Sequence, residues 1–411
     1  MNSQLYQDAN SIIDHAIESS RPGNAVIRCL KEAPVSAERI IVISVGKAAW
    51  SMAEAAYSIL GSQISRGLIL TKYGHSQGPL PGFDIVEAGH PIPDENTFAG
   101  TRQAMAMVEN LTPEDTVLFL LSGGGSALFE LSELSVQELQ DINAQLLRCG
   151  ADIQQINSVR KRISQVKGGR FAEKCAPAKV IGIILSDVIG NRLDMIASGP
   201  FLPDTSTCEQ ALEVVENYDL QLSEKAARLL RMETPKSLGE TECHVCGDIR
   251  QLCGAALEKS KELGYETIFL TDCLTCQAKE AGAFLASIAR THVGDGRKMA
   301  FVAGGETVVR LTGSGLGGRN QELALAAAPG ISGLPNTAIF SIGSDGTDGP
   351  TDAAGGYVDG DTEEVLKAQG IRIADVLQEN DSYHALLRCG GLIRTGATGT
   401  NVNDLSVVLI G

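Results

Sequence analysis

Two places in this sequence pair glycine or lysine with the end of an apolar run in a way that favours anions. Ser122-Gly-Gly-Gly-Ser126 follows Thr116-Val-Leu-Phe-Leu-Leu121. Three successive glycines let a backbone approach a ligand and turn several N–H groups toward a negative charge, as phosphate-binding loops do. Ser122, Gly123, Gly124, Gly125 and Ser126 are therefore candidate binders of a phosphate or carboxylate; a tight strand-to-helix turn is the structural alternative. Lys47 follows Arg39-Ile-Ile-Val-Ile-Ser-Val45 and stands at a helix start, where backbone N–H groups already attract an anion. This is not a Walker loop, because Ile41 occupies the position of its first glycine.

Gly313-Ser-Gly-Leu-Gly-Gly318 formally matches the dinucleotide fingerprint GxGxxG. The acidic residue that should follow about 20 positions later, to read a ribose, is missing between Ile331 and Ile339. Arg319 comes directly after the glycines, and a guanidinium at a helix start suits a phosphate in transfer better than a nicotinamide. Asp345, Asp348 and Asp352 cluster after another apolar run, and Asp187 ends a further one. Carboxylates are the hard oxygen ligands Mg²⁺ takes, usually one or two with waters, so the three clustered aspartates are candidate metal ligands. Asp and Gly are also ordinary turn residues. His90 in Ala88-Gly-His-Pro91 is the better placed of the two histidines at strand ends, the other being His75; a structural imidazole is the alternative. Arg160, Lys161, Arg162, Lys167 and Arg170 place five cations in eleven positions, to be read as a solvated helix face or as an anion site. HExxH does not occur, so the zinc-protease template does not apply.

The elements that must position these residues alternate. Apolar strand-like runs at 39–45, 67–71, 84–88, 116–121 and 179–185 are separated by helical stretches, which predicts right-handed βαβ units and an open, doubly wound α/β sheet. A second alternating series starts at Cys243-His-Val245 and continues through 266–270, 298–303 and 337–342 to a last run at 406–410. At 411 residues the chain is too long for one ordinary core. Two doubly wound α/β domains, 1–236 and 237–411, are expected, the first Rossmann-like, with ligands at the carboxyl ends of the strands.

The formal net charge of −16 argues against nucleic acid and anionic membranes as partners. No apolar run reaches about 18 residues, and the first 21 residues show no signal-peptide core, so a cytoplasmic protein is expected. Ten cysteines are too few for a disulfide scaffold of this length. Cys243-x2-Cys246 and Cys273-x2-Cys276 look like a zinc pattern, but the gap between the pairs holds a full helix and a strand. Ordinary thiols are the expectation.

The chain resembles the type II glycerate 2-kinases. The resemblance rests on Ser44-Val-Gly-Lys-Ala48, Ala88-Gly-His-Pro-Ile-Pro-Asp-Glu-Asn96, Leu121-Ser-Gly-Gly-Gly-Ser-Ala-Leu128, Ile156-Asn-Ser-Val-Arg-Lys161, Lys167-Gly-Gly-Arg170, Ser186-Asp-Val188 and Ala197-Ser-Gly-Pro200. Gly304-Gly-Glu-Thr307, Gly317-Gly-Arg-Asn-Gln-Glu-Leu323, Asp348-Gly-Pro-Thr-Asp-Ala-Ala354 and Thr398-Gly-Thr-Asn-Val-Asn-Asp-Leu405 extend it, the last part being similar to the MOFRL domain. The loop from Phe129 to Ser135 departs from the family by lacking a proline.

The resemblance implies an active site in a cleft between the domains and ATP-dependent phosphorylation of D-glycerate to 2-phosphoglycerate, with Mg²⁺ bridging phosphate oxygens. Lys47 and Arg319 match the family's essential lysine and arginine. Arg160 is expected to hold the glycerate carboxylate, and Asp187 to orient or deprotonate the attacking hydroxyl. Gly304, Gly305, Glu306, Thr307, Asn320 and His90 join the expected substrate- and phosphate-binding set. The expected partners are small molecules, and a homodimer is compatible with the sequence. Members of this group have also been labelled hydroxypyruvate reductases, so an NAD(P)H-dependent reductase is the alternative.

Overall fold

The computed structural model describes residues 3–186, 193 and 195–411. They divide into two compact units, Pro22–Cys246 and Met1–Arg21 with Gly247–Gly411.

The first unit is built on a six-stranded sheet of β1 (Arg39–Val45), β2 (Ile64–Lys72), β3 (Phe83–Ala88), β4 (Asp115–Leu121), β5 (Lys179–Leu185) and β6 (Thr241–Gly247), in the order β3-β2-β1-β4-β5-β6. The pairs β1–β2, β1–β4, β2–β3 and β4–β5 are parallel. The apolar runs are continuous because both faces are covered. Ile40 and Val42 of β1, with Leu118 and Leu120 of β4, pack into a core with the helices Pro22–Glu32 and Ala49–Leu60. Ile41, Ile43, Val117 and Phe119 point the other way, toward the helices Glu95–Met107, Val136–Arg148 and Ile153–Ile163. On that face Phe119 meets Phe129, Phe171 and Phe201 at ring separations of 5.1, 5.1 and 5.2 Å.

The second unit holds β7 (Glu266–Leu274), β8 (Met299–Gly305), β9 (Thr337–Gly343), β10 (Gly355–Asp359), β11 (Leu392–Ile393) and β12 (Asp404–Ile410), ordered β11-β10-β9-β12-β8-β7. This sheet is mixed. β7 and β8 are parallel, whereas β12 runs antiparallel between β8 and β9. The helices Ser3–Ser19 and Ile249–Glu262 cover one face, and Ala278–His292 with Arg319–Ile331 the other.

The α/β class is as expected, with three differences in detail. Residues 5–35 read in sequence as one helix rich in Ala and Ile, but the structure has two, broken at Ser20-Arg21 before Pro22, because proline is well suited to begin a helix and poorly to continue one. Its two halves belong to different units. The Cys243–Val245 run, expected to open the second series, is instead β6 at the edge of the first sheet. The contact division therefore falls after Cys246 rather than near 236. Finally, 307–311 reads as a strand in sequence but makes only an isolated bridge through Val308.

Candidate active site

In the first unit, β1 and β4 lie side by side while the chain leaves them in opposite directions, to β2 and to β5. Such a switch point is where open α/β sheets bind ligands. Val45 and Leu121 pair across it, and the loops beyond them interlock. Ser122 N donates to Val45 O at 2.9 Å, Lys47 N to Gly123 O at 2.9 Å, and Ala48 N to the buried Ser122 hydroxyl at 3.1 Å. The fit leaves no room for side chains: a Cβ on Gly46 would stand 2.2 Å from Ser122 Oγ. Gly124 adopts φ +91°, which favours glycine, and its missing Cβ would lie 3.0 Å from the His90 ring and 3.4 Å from Lys47 Cγ.

The structure thus brings Lys47, His90 and the triple glycine together. His75 joins them through Nδ1, 3.0 Å from Lys47 O. Burial holds the His90 imidazole below its ordinary pKa, with Lys47, Lys72 and His75 adding to the effect. Lys47 is exposed, and among the described residues no carboxylate pairs with its ammonium. An acidic protein therefore carries a local cationic spot at its switch point. Ser126 lies half-buried in the short helix Gly125–Leu128. Asp187, the expected base, lies outside the described residues.

Apart from Arg160, the basic run is neither a solvated face nor an anion site. Lys161 Nζ donates to Asp204 Oδ1 at 3.0 Å, and fully buried Arg162 reaches Ser158 O, Ser206 and Glu233. Lys167 pairs with buried Glu130 and bonds Phe129 O at 3.2 Å. Arg170 donates to Ser164 O at 2.5 Å. These cations hold the helices and loops of this face together. Arg160 donates from Nε to Asn143 Oδ1 at 2.7 Å, and among the described residues no hydrogen bond ties it to the switch-point loop. Paired burial of this kind is invisible to sequence, because the carboxylates come from 37 or more residues away.

In the second unit, Arg319 opens its helix and is gripped on two sides. Nε and Nη2 form a fork with Asp404 Oδ2 and Oδ1 at 2.5 and 2.9 Å, and Nη1 lies 3.1 Å from Glu306 Oε1. The fork raises the guanidinium pKa further, while burial pushes the Asp404 carboxyl up to about 6 against the pull of Arg319. Glu306 also accepts from Asn403 Nδ2 at 3.3 Å. Gly304 and Gly305 end β8 beneath it. Thr307 is buried, and its hydroxyl has no hydrogen-bond partner among the described residues, which is unusual away from a functional site.

The three aspartates do not converge. Asp348 accepts from Asn320 N and Gln321 N at 3.0 and 2.8 Å and so caps the helix Arg319–Ile331. Burial raises its pKa while those N–H groups oppose the rise. Asp352 is exposed and held by Tyr383 OH and Arg394 Nε at 2.8 and 2.9 Å. Asp345 accepts from Thr347 N at 2.9 Å within its own turn. Among the described residues no three His, Cys, Asp or Glu side chains gather as a metal site, and the four cysteines of the CxxC pairs are free thiols. Asn320 is part of the helix cap, with Ser341 Oγ donating to its Oδ1 at 2.6 Å.

The GxGxxG loop is occupied by its own protein. Thr312 N and Gly313 N donate to Asn380 Oδ1, Gly315 N to Glu379 O, and Leu316 N to Asp381 Oδ1, at 2.7–2.9 Å. A Cβ on Gly313, Gly315 or Gly317 would strike Glu379, Asp381 or Ser382 at 2.2–2.5 Å. The glycines serve close packing against 379–382, and those N–H groups are not offered to a pyrophosphate. Asn380, Asp381 and Asp404 are the residues that sequence reasoning missed. Only Asp404 left a signal: a charged residue beginning an apolar run.

Two family models match the chain: a domain of unknown function, DUF4147, over residues 8–231, and the MOFRL family over residues 299–404. The chain is 51% identical to a D-glycerate 2-kinase of Thermotoga maritima, over 98% of this chain and 97% of that one. A relative from Agrobacterium vitis, provisionally named a hydroxypyruvate reductase, is 36% identical over 97% of this chain and 93% of its own. The crystal structure of a glycerate kinase from Thermotoga maritima matches with a TM-score of 0.95 at 50% identity, covering 99% of this chain and 100% of that one. With both domains matched in order and the likeness running end to end, the chain belongs to the MOFRL family of glycerate 2-kinases.

Proposed function

We propose that this chain is a glycerate 2-kinase that transfers the γ-phosphoryl group of ATP to the 2-hydroxyl of D-glycerate. The observation that carries the reading is the switch-point loop, where the exposed Lys47 stands beside His90 and the triple glycine in a chain 51% identical to a D-glycerate 2-kinase. In the reaction the hydroxyl oxygen bonds to phosphorus, the bond to the bridging oxygen breaks, ADP departs with that electron pair, and the hydroxyl proton is lost. Such a transfer is mostly positioning and charge stabilisation.

Lys47 and Arg319 are assigned to stabilising charge on the phosphoryl group. The loop from Ser122 to Ser126, with His90, is assigned to a substrate anion. Gly304, Gly305, Glu306 and Thr307 belong to the phosphate-binding part of the second unit. Arg160, with Nε held by Asn143, offers its Nη groups to the glycerate carboxylate. Asp187 remains the residue assigned to the hydroxyl proton. Mg²⁺ enters as part of the nucleotide substrate and supplies charge neutralisation. Free thiols throughout accord with a reducing, cytoplasmic setting. For the reductase reading, the filled N–H groups of the GxGxxG loop are the physical obstacle.

Purified protein with ATP, Mg²⁺ and D-glycerate should release ADP, and should not oxidise NADH with hydroxypyruvate. Enolase alone should convert the product; a strict requirement for phosphoglycerate mutase would mean the 3-phosphate and refute the assigned carbon. Lys47→Ala and Arg319→Ala should each lower kcat by about a hundredfold or more, with folding intact.

A further inference from the structure

We infer that Asp404 is the positioning residue of the phosphoryl-transfer site, holding the Arg319 guanidinium in a single orientation through a bidentate fork. The inference rests on the kinase reading above and on the role of Arg319 within it. It starts from strand register. β12 runs antiparallel between β8 and β9, so its first residue stands where both neighbours end. Asp404 pairs with Gly305 on one side and Gly343 on the other. Both neighbours are glycines, so neither strand partner sets a side chain beside the carboxylate; the Asn320 side chain also bonds it, from the helix that Arg319 opens.

Asp404 is buried, whereas the Arg319 side chain is about one-third exposed, at 36%. The carboxylate is thus a fixed base and the guanidinium a group facing outward from it. Arg319 is anchored at both ends of its side chain. Its backbone opens a helix whose next two N–H groups are capped by Asp348, and its tip is forked by Asp404 at 2.5 and 2.9 Å. A guanidinium has five N–H donors in one plane. Asp404 takes two and Glu306, at 3.1 Å, a third. Two donors, one on each Nη atom, are left to meet phosphoryl oxygens. An arginine without the fork would sample many rotamers, and orienting it would fall to the transition state itself.

The test compares Arg319→Ala, Asp404→Asn, Asp404→Glu and the double variant R319A/D404N in steady-state assays with ATP and D-glycerate. Circular dichroism and thermal melts are measured on each. D404N should lower kcat by about tenfold or more while KM for both substrates stays within about threefold. In the R319A background the same substitution should change nothing further, because Asp404 acts through the guanidinium. Added guanidinium ion should restore part of the turnover of R319A but not of the double variant, a readout that a merely structural aspartate would not move. D404E keeps the charge and moves the fork by one methylene. It should lower kcat at unchanged KM, and it carries the test if D404N does not fold. D404N or a folded D404E at full kcat, or losses that multiply in the double variant, overturns the inference while R319A remains inactive. Near-normal turnover of R319A overturns the kinase role of Arg319, and this inference with it.

Discussion

Replacing Gly124 by alanine tests whether the switch-point loop positions the groups around it or merely closes a turn. Gly124 sits at φ +91° and ψ −4°, where a side chain is strained. That strain should destabilise the first unit by about 1–2 kcal/mol. For a unit of this size the melting temperature should fall by roughly 2–8 °C. The new Cβ would also stand 3.0 Å from the His90 ring and 3.4 Å from Lys47 Cγ, so the imidazole must yield by a few tenths of an ångström. Since about 1 Å of misplacement can cost a hundredfold in rate, a shift of that size should lower kcat about tenfold.

Gly150 supplies the control. It also has a positive φ, +85°, but a Cβ there meets nothing within 4 Å. Gly150→Ala should show a similar loss in melting temperature with turnover intact. The two variants are compared by thermal melts and by ADP release at saturating substrates. If G124A loses stability as G150A does and keeps full kcat, the loop backbone does not position His90 and Lys47, and the reasoning fails.

Two further outcomes follow from buried charges. Lys167→Met should destabilise by about 3–5 kcal/mol in urea titrations, because Glu130 is left buried without its partner, whereas Lys167→Met with Glu130→Leu should recover most of the loss. A single variant within about 1 kcal/mol of the parent would show that the pair is not isolated from water. Asp115, buried and forked by Arg39 at 2.6 and 2.5 Å, has its carboxyl pulled down to about 2, chiefly by that fork. Because the folded value lies below the unfolded one, its stabilisation is present above about pH 4 and is lost as pH falls through about 2. Melting temperatures followed from pH 5 to pH 2 should fall less steeply in Asp115→Asn than in the parent; equal slopes would remove Asp115 from the acid response.

Much of the architecture was legible without coordinates. Runs such as Ile40–Ile43 and Val117–Leu121 are continuously apolar, as a strand buried on both faces is. Glycines and the lysine directly after such runs marked the switch-point loop, because local backbone demands and strand ends are written in neighbouring residues. The association of Lys47 with the triple glycine follows from strand order, which the alternation of strands and helices does not by itself fix. What sequence alone determined, then, is whatever depends on short range: strand identity, loop chemistry and the α/β class.

Tertiary structure decided which side chains meet. Lys161, Arg162 and Lys167 look like a basic face in sequence, yet Asp204, Glu233 and Glu130 bury them as ion pairs from distant segments. Asp348 looked like a metal ligand and is a helix cap, because the turn after β9 folds onto the first residues of a helix far behind it in sequence. The Gly313–Gly318 loop fits a dinucleotide fingerprint letter by letter, but its N–H groups are filled by 379–381. The grip on Arg319 depends on β12 running antiparallel between β8 and β9, which carries Asp404 across 85 residues to the ends of both strands. Periodicity reports which face of a strand is buried; it says nothing of direction or partner, and both were settled only when the strands paired.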